Sequence, residues 1–573
     1  MGTIIKKKIK GINYYYYVET KRINGKSKYV NQKYLGSADK LVKMASDNGK
    51  SIQDQVLYAH EVQFGSVALL YEIAAKLKVV DIIDSVVPKR NQGASVGMYI
   101  LTAAINRAVS PTSKSGLKEW YEKTSLPYIT GLKPSLFTVQ NFWNNTDITI
   151  DQLRTIEDKF LEKAKEVFHV DLDSLIYDAT NFFTYIDTMN PSELAKRGHD
   201  KAKRNDLKTV GLALTVTPDF SIPILSETYP GNRSDAKQFA VMMEQLQRRF
   251  RKIAGQDADI TLVFDRGNNS EDNLELIESE GLQFHYVGGL KKNQVSELFA
   301  VSKRNYVPLQ CPDDADEKYR KLTAYHMDAE VFGRKVKTVI VYNPELEKGQ
   351  LQGININIDK TSSELLDLQG RLLKRAKGEI TKGRKPTAES VQKAVRKILD
   401  SREYMADIFE YEILEKDKHI LLTFSDSEQK LQTITDEQLG KTALFTDRSD
   451  MSDYQVIAAY RSAWHVESSF KQMKDTDFLT VRPIFHWTDQ RIAVHIFLCV
   501  LAYRLCALLR KELHKKGIDC SINECLKSMN AVNRVTTFYG PIAKPKKIEA
   551  FIAGDELASQ IEKVYELQPK YYG

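Results

Sequence analysis

The sequence predicts an α/β protein whose mixed-sheet core is interrupted by a β-rich and helical insertion and preceded by a helical N-terminal domain. The chain has 573 residues, which is enough for three or four domains. Its 42% hydrophobic and 28% charged residues are typical of a soluble globular protein. The hydrophobic period changes from helical to strand-like near residue 174, and a strongly basic helical stretch separates two later groups of strands.

Charge, cysteine content and hydropathy narrow the class of protein. Lys and Arg outnumber Asp and Glu by 83 to 75, a mild basic excess that is compatible with a polyanionic partner. The five cysteines form no CxxC pair, so we expect neither a disulfide framework nor a zinc module. This pattern is typical of a protein in a reducing cytoplasm. The apolar stretch 492–509 contains Arg504 and is interpreted as a buried core helix, so no membrane partner is expected.

The N-terminal part of the chain predicts two modules. Residues 1–48 are rich in Tyr, Lys and Gly and predict a small basic β-hairpin module. This module could contact a nucleic acid or simply pack on the next domain. Residues 49–150 have apolar residues at helical spacing and predict a helical domain that could bind DNA, although no recognition helix can be identified.

The first part of the predicted core covers residues 151–290. Three strands come first, then helix, strand, helix and strand, which is the order of an RNase H-like mixed sheet. The strands are predicted over residues 174–186, 209–217, 222–229, 260–265 and 284–288, and the helices over 235–250 and 271–280.

Residues 291–440 interrupt this order and are predicted to form an insertion domain. It has strand pairs over 325–341 and 409–424, and between them two basic helices over 365–377 and 391–399. These helices are either a solvated charged hairpin or a DNA contact. Residues 441–525 are predicted to complete the core with an acid-bearing helix, and residues 526–573 to form a C-terminal helical tail that could serve dimerisation.

Three acidic residues stand out because of where they fall in these elements. Asp178 lies inside a strand between apolar neighbours, where an unpaired buried carboxylate costs on the order of several kcal/mol. Asp265 ends a strand before a glycine turn, a position that projects into the ligand crevice of an open sheet, with a turn or cap role as the alternative. Glu467 lies on a helix predicted over residues 454–474 and could otherwise belong to a surface ion-pair face.

The surroundings of Glu467 suggest a shared purpose for the three acids. Tyr460 and Lys474 lie seven residues before and after it, so one continuous helix would present all three on one face, with Lys471 beside them. Phosphoryl transfer on DNA needs such acids, because two divalent ions held by carboxylates stabilise the attacking and leaving oxygens. The ordered set therefore predicts one metal site with Lys and Tyr able to hold phosphates.

These residues give the sequence a resemblance to a known family. It resembles bacterial insertion-sequence transposases of the DDE (Asp-Asp-Glu) class, in the insertion-sequence-four-like superfamily. That group is marked by a Y-x2-R-x3-E-x6-K motif and a β-rich insertion before the Glu. The resemblance covers most of residues 50–510 and rests on Tyr177-Asp-Ala-Thr-Asn-Phe-Phe, Gly231-Asn-Arg-Ser-Asp, Val263-Phe-Asp-Arg-Gly and Tyr460-Arg-Ser-Ala-Trp-His-Val-Glu-Ser-Ser-Phe-Lys-Gln-Met-Lys.

The resemblance implies roles for individual residues. Asp178, Asp265 and Glu467 would be the catalytic metal ligands, with two Mg²⁺ ions expected, or Mn²⁺ in their place. Tyr460 and Lys474 would contact the phosphates of the transposon end.

One position departs from the family motif. Its Arg falls on Ala463, and Lys471 or an arginine of the insertion could supply the missing phosphate contact. Arg461 is the nearest arginine but lies off the face of Glu467, since six residues are not a whole number of helical turns. Arg461, Lys471 and Arg266 complete the candidate DNA contacts.

The function implied is that of a DNA transposase. It would bind the terminal inverted repeats of an insertion sequence, then cut and join double-stranded DNA as a homodimer on paired ends, at the nucleoid of a bacterial cytoplasm. The alternatives are an RNase H-like structure-specific nuclease and a catalytically inactive DNA-binding relic. The long insertion argues against a nuclease, and the intact acidic triad argues against an inactive relic. Excision by a DNA hairpin, with a flipped base held by an aromatic residue of the insertion, is one open route.

Overall fold

The computed structural model describes residues 2–9, 12–23, 26–37, 56–90, 93–198, 206–253, 258–278, 284–416, 419–475, 479–540 and 545–572. The chain forms two compact units. The first consists of Met1–Phe168, Gln472–Val481 and Gln490–Gly573, and the second of His169–Lys471 and Arg482–Asp489. Helices and a large mixed sheet together confirm the predicted α/β class.

The first unit begins with strands rich in Tyr and Lys, residues that fit a half-exposed pleated surface. They are β1 (Gly2–Ile9), β2 (Ile12–Ile23) and β3 (Lys26–Ser37), which form an antiparallel sheet in that order. The sequence predicted a hairpin over residues 1–48, and the third strand is an addition to it. Residues 38–55 lie outside the described part, and β4 (Val56–Gln63) follows them.

Helices make up most of the rest of the N-terminal part of this unit. The most buried is α3, which begins after Ser95, whose hydroxyl accepts a hydrogen bond from the backbone N–H of Met98 at 3.3 Å. The helices are α1 (Gly65–Lys76), α2 (Val79–Val86), α3 (Val96–Val109), α4 (Leu117–Glu122), α5 (Leu126–Thr130), α6 (Val139–Asn145) and α7 (Ile150–Phe168).

The second unit is built on a nine-stranded sheet. Its strands are β5 (Ser174–Phe183), β6 (Thr209–Val216), β7 (Pro223–Pro230), β8 (Ile260–Phe264), β9 (Phe284–Leu290), β10 (Val307–Pro308), β11 (Thr323–Val331), β12 (Arg334–Tyr342) and β15 (Lys441–Thr446). The strand order is β10-β11-β12-β15-β9-β8-β5-β6-β7, in which β5, β8 and β9 are parallel to one another and the other pairings are antiparallel.

Helices connect and cover these strands. Phe239 on α8 is fully buried and contacts the rings of Tyr177 on β5 and Phe264 on β8, so α8 covers one face of the central strands. The helices of this part are α8 (Asp235–Ile253), α9 (Glu271–Glu278), α10 (Ser296–Phe299) and α11 (Glu317–Arg320).

The insertion is shorter than the sequence suggested. The strands over residues 325–341, assigned to it from the sequence, extend the main sheet because β12 pairs with β15 through residues such as Val339 and Leu444. The remaining segment has its own apolar core, which includes Leu365, Val395 and Phe409. Its elements are α12 (Pro344–Ala376), α13 (Ala388–Leu399), α14 (Met405–Ile408), β13 (Phe409–Lys416), β14 (His419–Asp426) and α15 (Glu428–Gln438).

Two helices follow β15 where the sequence predicted one. They are α16 (Asp453–Arg461) and α17 (Trp464–Lys474). The break at residues 462–463 has a local cause, because the hydroxyl of Ser462 donates to the carbonyl of Ala459 at 2.5 Å and the N–H of Ala463 bonds to the carbonyl of Tyr460 at 3.1 Å. Each of these bonds reaches the carbonyl three residues back, whereas an α-helix uses the carbonyl four residues back. The α-helix therefore ends there.

The C-terminal part returns to the first unit. β16 (Asn533–Tyr539) lies between β17 (Lys546–Ile552) and β4 in an antiparallel sheet. The long helix α18 (Asp489–Lys515) is apolar enough to cross a membrane, but its most apolar window is wholly buried within the structure, as expected of a core helix. The other helices are α19 (Ile522–Met529), α20 (Glu556–Tyr565) and α21 (Leu567–Tyr572).

The core of the first unit contains an ion pair between α18 and α7. Arg504 lies 3.3 Å from Glu157, and both side chains are 2% exposed. Removing one partner leaves a buried charge, so we expect Arg504→Leu to lower the free energy of unfolding by about 3–5 kcal/mol. Urea denaturation measures this loss. The double variant Glu157→Leu/Arg504→Leu should recover most of it, and a single variant as stable as the wild type would contradict the pair's role.

Lys114 predicts a pH dependence of stability. It is 8% exposed, and burial, reinforced by repulsion from Arg107, lowers its pKa from an ordinary 10.5 to about 7. Between these two pKa values, Lys114 carries a proton in the unfolded chain but not in the folded chain. The free energy of unfolding should therefore increase as pH rises from 7 to 10, by up to about 1.4 kcal/mol per pH unit. Comparing urea denaturation of wild type and Lys114→Met across this range isolates the effect. Identical slopes with pH would refute it.

Candidate active site

Asp178 and Asp265 are neighbours on adjacent parallel strands. The register of β5 and β8 pairs Tyr177 with Phe264, and each aspartate is the next residue along the chain. Asp265 keeps an extended backbone, with φ −75° and ψ 154°, beyond the end of β8. Adjacent strands lie about 4.8 Å apart. The sheet therefore brings the first two predicted acids side by side.

The two aspartates lie on the face of the sheet opposite α8. Because Tyr177 and Phe264 both contact Phe239 of α8, the residues that follow them project the other way. Asp178 is half-buried, and its Oδ1 accepts the backbone N–H of Ala179 at 2.7 Å. Asp265 is exposed.

Tyr460 on α16 contacts Asp265 directly. Its hydroxyl donates a hydrogen bond to Asp265 Oδ1 at 3.3 Å. Burial raises the pKa of Tyr460 well above its ordinary value, and the nearby carboxylates of Asp265 and Glu467 add to this rise, while Arg266 opposes it. The sequence predicted Tyr460 only as a phosphate contact, so its bond to an acid of the triad is new information.

Glu467 lies in the first turn of α17 and is exposed. Because the helix breaks after Arg461, the prediction that Tyr460, Glu467 and Lys474 share one face of a continuous helix is wrong. Glu467 and Lys474 remain on one helix, two turns apart. Glu467 is nevertheless close enough to Tyr460 for its charge to act on that hydroxyl, which ties it to the same neighbourhood as Asp265.

The donors suit a hard divalent ion, but the triad is not closed around one point. Carboxylate oxygens are the ligands that Mg²⁺ and Mn²⁺ prefer, and Asp178 with Asp265 offers two such groups side by side. Within the described ranges, no group of three or more His, Cys, Asp or Glu side chains is arranged to hold one ion. Glu467 would therefore join the aspartates only after a movement of its side chain or helix.

The predicted DNA contacts fall into two groups. Arg266, in the short turn after Asp265, and Lys471, one turn after Glu467, are both exposed. Arg461 is half-buried, with its guanidinium 5.4 Å from the centre of the Tyr319 ring, and burial lowers its pKa. It faces Tyr319, so the structure does not bring it together with the acids. Lys474 is half-buried at the end of α17, in a segment that belongs to the first unit.

Gly289 is a site residue that the sequence did not reveal. It lies on β9, where an added β-carbon would be 2.3 Å from the Tyr460 hydroxyl oxygen. The side chain of Asn269 donates to its carbonyl oxygen. Glycine here lets the Tyr460 ring approach the sheet, and the Gly288-Gly289 pair at the end of an apolar strand was the available signal.

Gly289 yields a direct test of this packing. We expect Gly289→Ala to cost about 1–3 kcal/mol of unfolding free energy, because the methyl group overlaps the Tyr460 ring. In a Tyr460→Ala background the same substitution should cost much less. Gly349→Ala, on a helix with open space around the position, is the control and should not destabilise. Equal costs of Gly289→Ala in both backgrounds would rule out the contact.

Comparisons with known proteins identify one matching family. Residues 173–505 match the family described as transposase DDE domain, a range that includes all three acids. Comparison with curated proteins gives no significant match. Among solved structures, the chain is similar to a cryo-EM structure of a piggyBac transposase synaptic complex with hairpin DNA. That likeness has a TM-score of 0.35 and 8% sequence identity, over 81% of this chain and 78% of the other.

The family match confirms the resemblance to DDE transposases, while the insertion-sequence-four-like subgroup stays a prediction. Because the matched residues make up more than half of its length, the chain belongs to the transposase DDE domain family.

Proposed function

We propose that this chain is a DNA transposase that binds the terminal inverted repeats of an insertion sequence and performs cut-and-paste transposition. Its core would be RNase H-like, and it would act as a homodimer on paired double-stranded DNA ends, at the nucleoid of a bacterial cytoplasm. The observation that carries the proposal is the side-by-side placement of Asp178 and Asp265 on parallel strands, within the region that matches the transposase family.

Asp178 and Asp265, joined by Glu467, would hold Mg²⁺ or Mn²⁺, with two ions expected. Bound divalent ions stabilise charge on the attacking and leaving oxygens of a phosphodiester. The half-buried position of Asp178 and the exposed position of Asp265 suit this role, because one carboxylate anchors the site and the other stays accessible to a DNA strand.

Tyr460 would position Asp265. Its hydroxyl donates to Oδ1, which orients the carboxylate and leaves Oδ2 for other partners. A tyrosine hydroxyl is protonated at neutral pH, and burial raises the pKa of Tyr460 further, so the hydroxyl remains a donor. A contact with a DNA phosphate would then be a second role of the same side chain.

The exposed cations near the acids would hold the DNA backbone. Arg266 and Lys471 are the best placed, because both are exposed. Arg266 directly follows Asp265, and Lys471 lies one helical turn after Glu467. Lys474 is a further candidate on α17. Arg461 is the weakest candidate, since its guanidinium is occupied by the Tyr319 ring.

The acidic residues supply the central test. We expect Asp178→Asn, Asp265→Asn and Glu467→Gln each to lower Mg²⁺-dependent cleavage of a terminal-repeat duplex roughly a thousandfold, equal to about 4 kcal/mol of transition-state stabilisation. DNA binding should survive. Asp272→Asn, an exposed acid on the neighbouring helix α9, is the matched control and should cleave normally. The DNA flanking the gene is searched for inverted repeats to supply the substrate, and cleavage is measured on labelled strands.

The products distinguish this function from the alternatives. Joining of the cut ends into a target duplex supports transposition, whereas cleavage without joining indicates a structure-specific nuclease. Binding with no cleavage in Mg²⁺ or Mn²⁺ indicates an inactive relic. Full cleavage by any one of the three acid variants would refute the proposed site.

A further inference from the structure

The insertion has a strongly uneven distribution of charge. Residues 371–397, here called the basic hairpin, contain ten Lys and Arg against two Glu, a net charge of +8. The rest of the insertion, residues 344–370 and 398–440, contains six Lys and Arg against sixteen Asp and Glu, a net charge of −10. Residues 1–37 hold another +8, so the chain outside these two basic segments, the acidic part of the insertion included, has a net charge of −8.

The cations of the basic hairpin are exposed and lack acidic partners. Nine of the ten side chains are exposed, and Arg375 is half-buried. Throughout the ranges that the structure describes, none of the ten forms an ion pair with a carboxylate. The exposed nine are Arg371, Lys374, Lys377, Lys382, Arg384, Lys385, Lys393, Arg396 and Lys397. Like charges held this close repel one another, so an anionic surface would relieve the repulsion.

The basic hairpin is an ordered platform. Leu372 on α12 and Val391 and Val395 on α13 are buried in the insertion's core and hold the two helices together. Arg375 closes the connection between them by donating to the carbonyl of Lys382 at 2.7 Å and to that of Gly383 at 3.3 Å. The hydroxyl of Thr387 caps α13 by accepting from the N–H of Ser390 at 3.2 Å. The backbone that carries the cations is therefore held in one arrangement.

We infer that the basic hairpin binds the phosphate backbone of double-stranded DNA without regard to sequence. Arg and Lys on an exposed helical surface make such contacts, and release of DNA counterions supplies the free energy. A lipid bilayer is a poorer fit, because Leu373 is the one exposed large apolar side chain of the basic hairpin. This inference rests on the proposed function, since it assumes that the chain acts on DNA.

The salt dependence of DNA binding tests the inference. The full-length protein is titrated with a labelled duplex of arbitrary sequence at several NaCl concentrations, with fluorescence anisotropy as the readout. In the triple variant Lys393→Gln/Arg396→Gln/Lys397→Gln, the slope of log affinity against log salt should fall in magnitude by about 2 to 3, because each lost phosphate contact removes about 0.9. The matched control Lys348→Gln/Lys360→Gln/Lys416→Gln removes equal charge from exposed positions outside the hairpin and should keep the wild-type slope.

The outcomes separate the inference from the proposed function. Thermal melting first establishes that both variants are folded. If the wild type binds DNA and the hairpin variant keeps its slope, or if the control loses as much, the inference is wrong and the proposed function stands. If the wild type does not bind duplex DNA even at low salt, both fail. A slope that falls in the hairpin variant but not in the control supports the basic hairpin as a DNA-binding surface.

Discussion

The parallel pairing of β5 with β8 is the constraint on which the candidate site depends. Tyr177 and Phe264 are paired across the two strands, and both pack on Phe239 beneath the sheet. Because paired residues of parallel strands point the same way, this apolar contact turns Asp178 and Asp265 together to the opposite face. A slip of one residue would bury one aspartate against α8 and separate the pair. The position of the carboxylates is thus set by packing on the other side of the sheet.

The remaining site residues depend on two local features of the backbone. Gly289 leaves room on β9 for the Tyr460 ring, which brings its hydroxyl to Asp265. The turn at residues 462–463 then separates α16 from α17, the helix that carries Glu467. Ala463, where the family motif has Arg, lies in that turn. A separate helix therefore carries the third predicted acid.

The sequence predicted local elements better than long-range pairing. Strands β5 to β9 each coincide with an apolar run bounded by turn residues, so period and composition were sufficient. The pairing of β12 with β15 joins segments about a hundred residues apart, and no local pattern reports it. The break after Arg461 was missed because Ser and Ala fit a helix, and only the hydrogen bonds of Ser462 and Ala463 reveal it. The acids themselves were identified from motif and spacing, whereas the bond from Tyr460 to Asp265 required coordinates.

We propose that Asp178 and Asp265 form a divalent metal site that Glu467 completes. Binding of Mn²⁺ to the full-length protein, followed by electron paramagnetic resonance, tests it most directly because Mn²⁺ is a spectroscopic substitute for Mg²⁺. We expect the wild type to bind Mn²⁺ saturably, Asp178→Asn and Asp265→Asn to lose this binding, and Glu467→Gln to bind more weakly. Wild-type Mn²⁺ binding in both aspartate variants would contradict it.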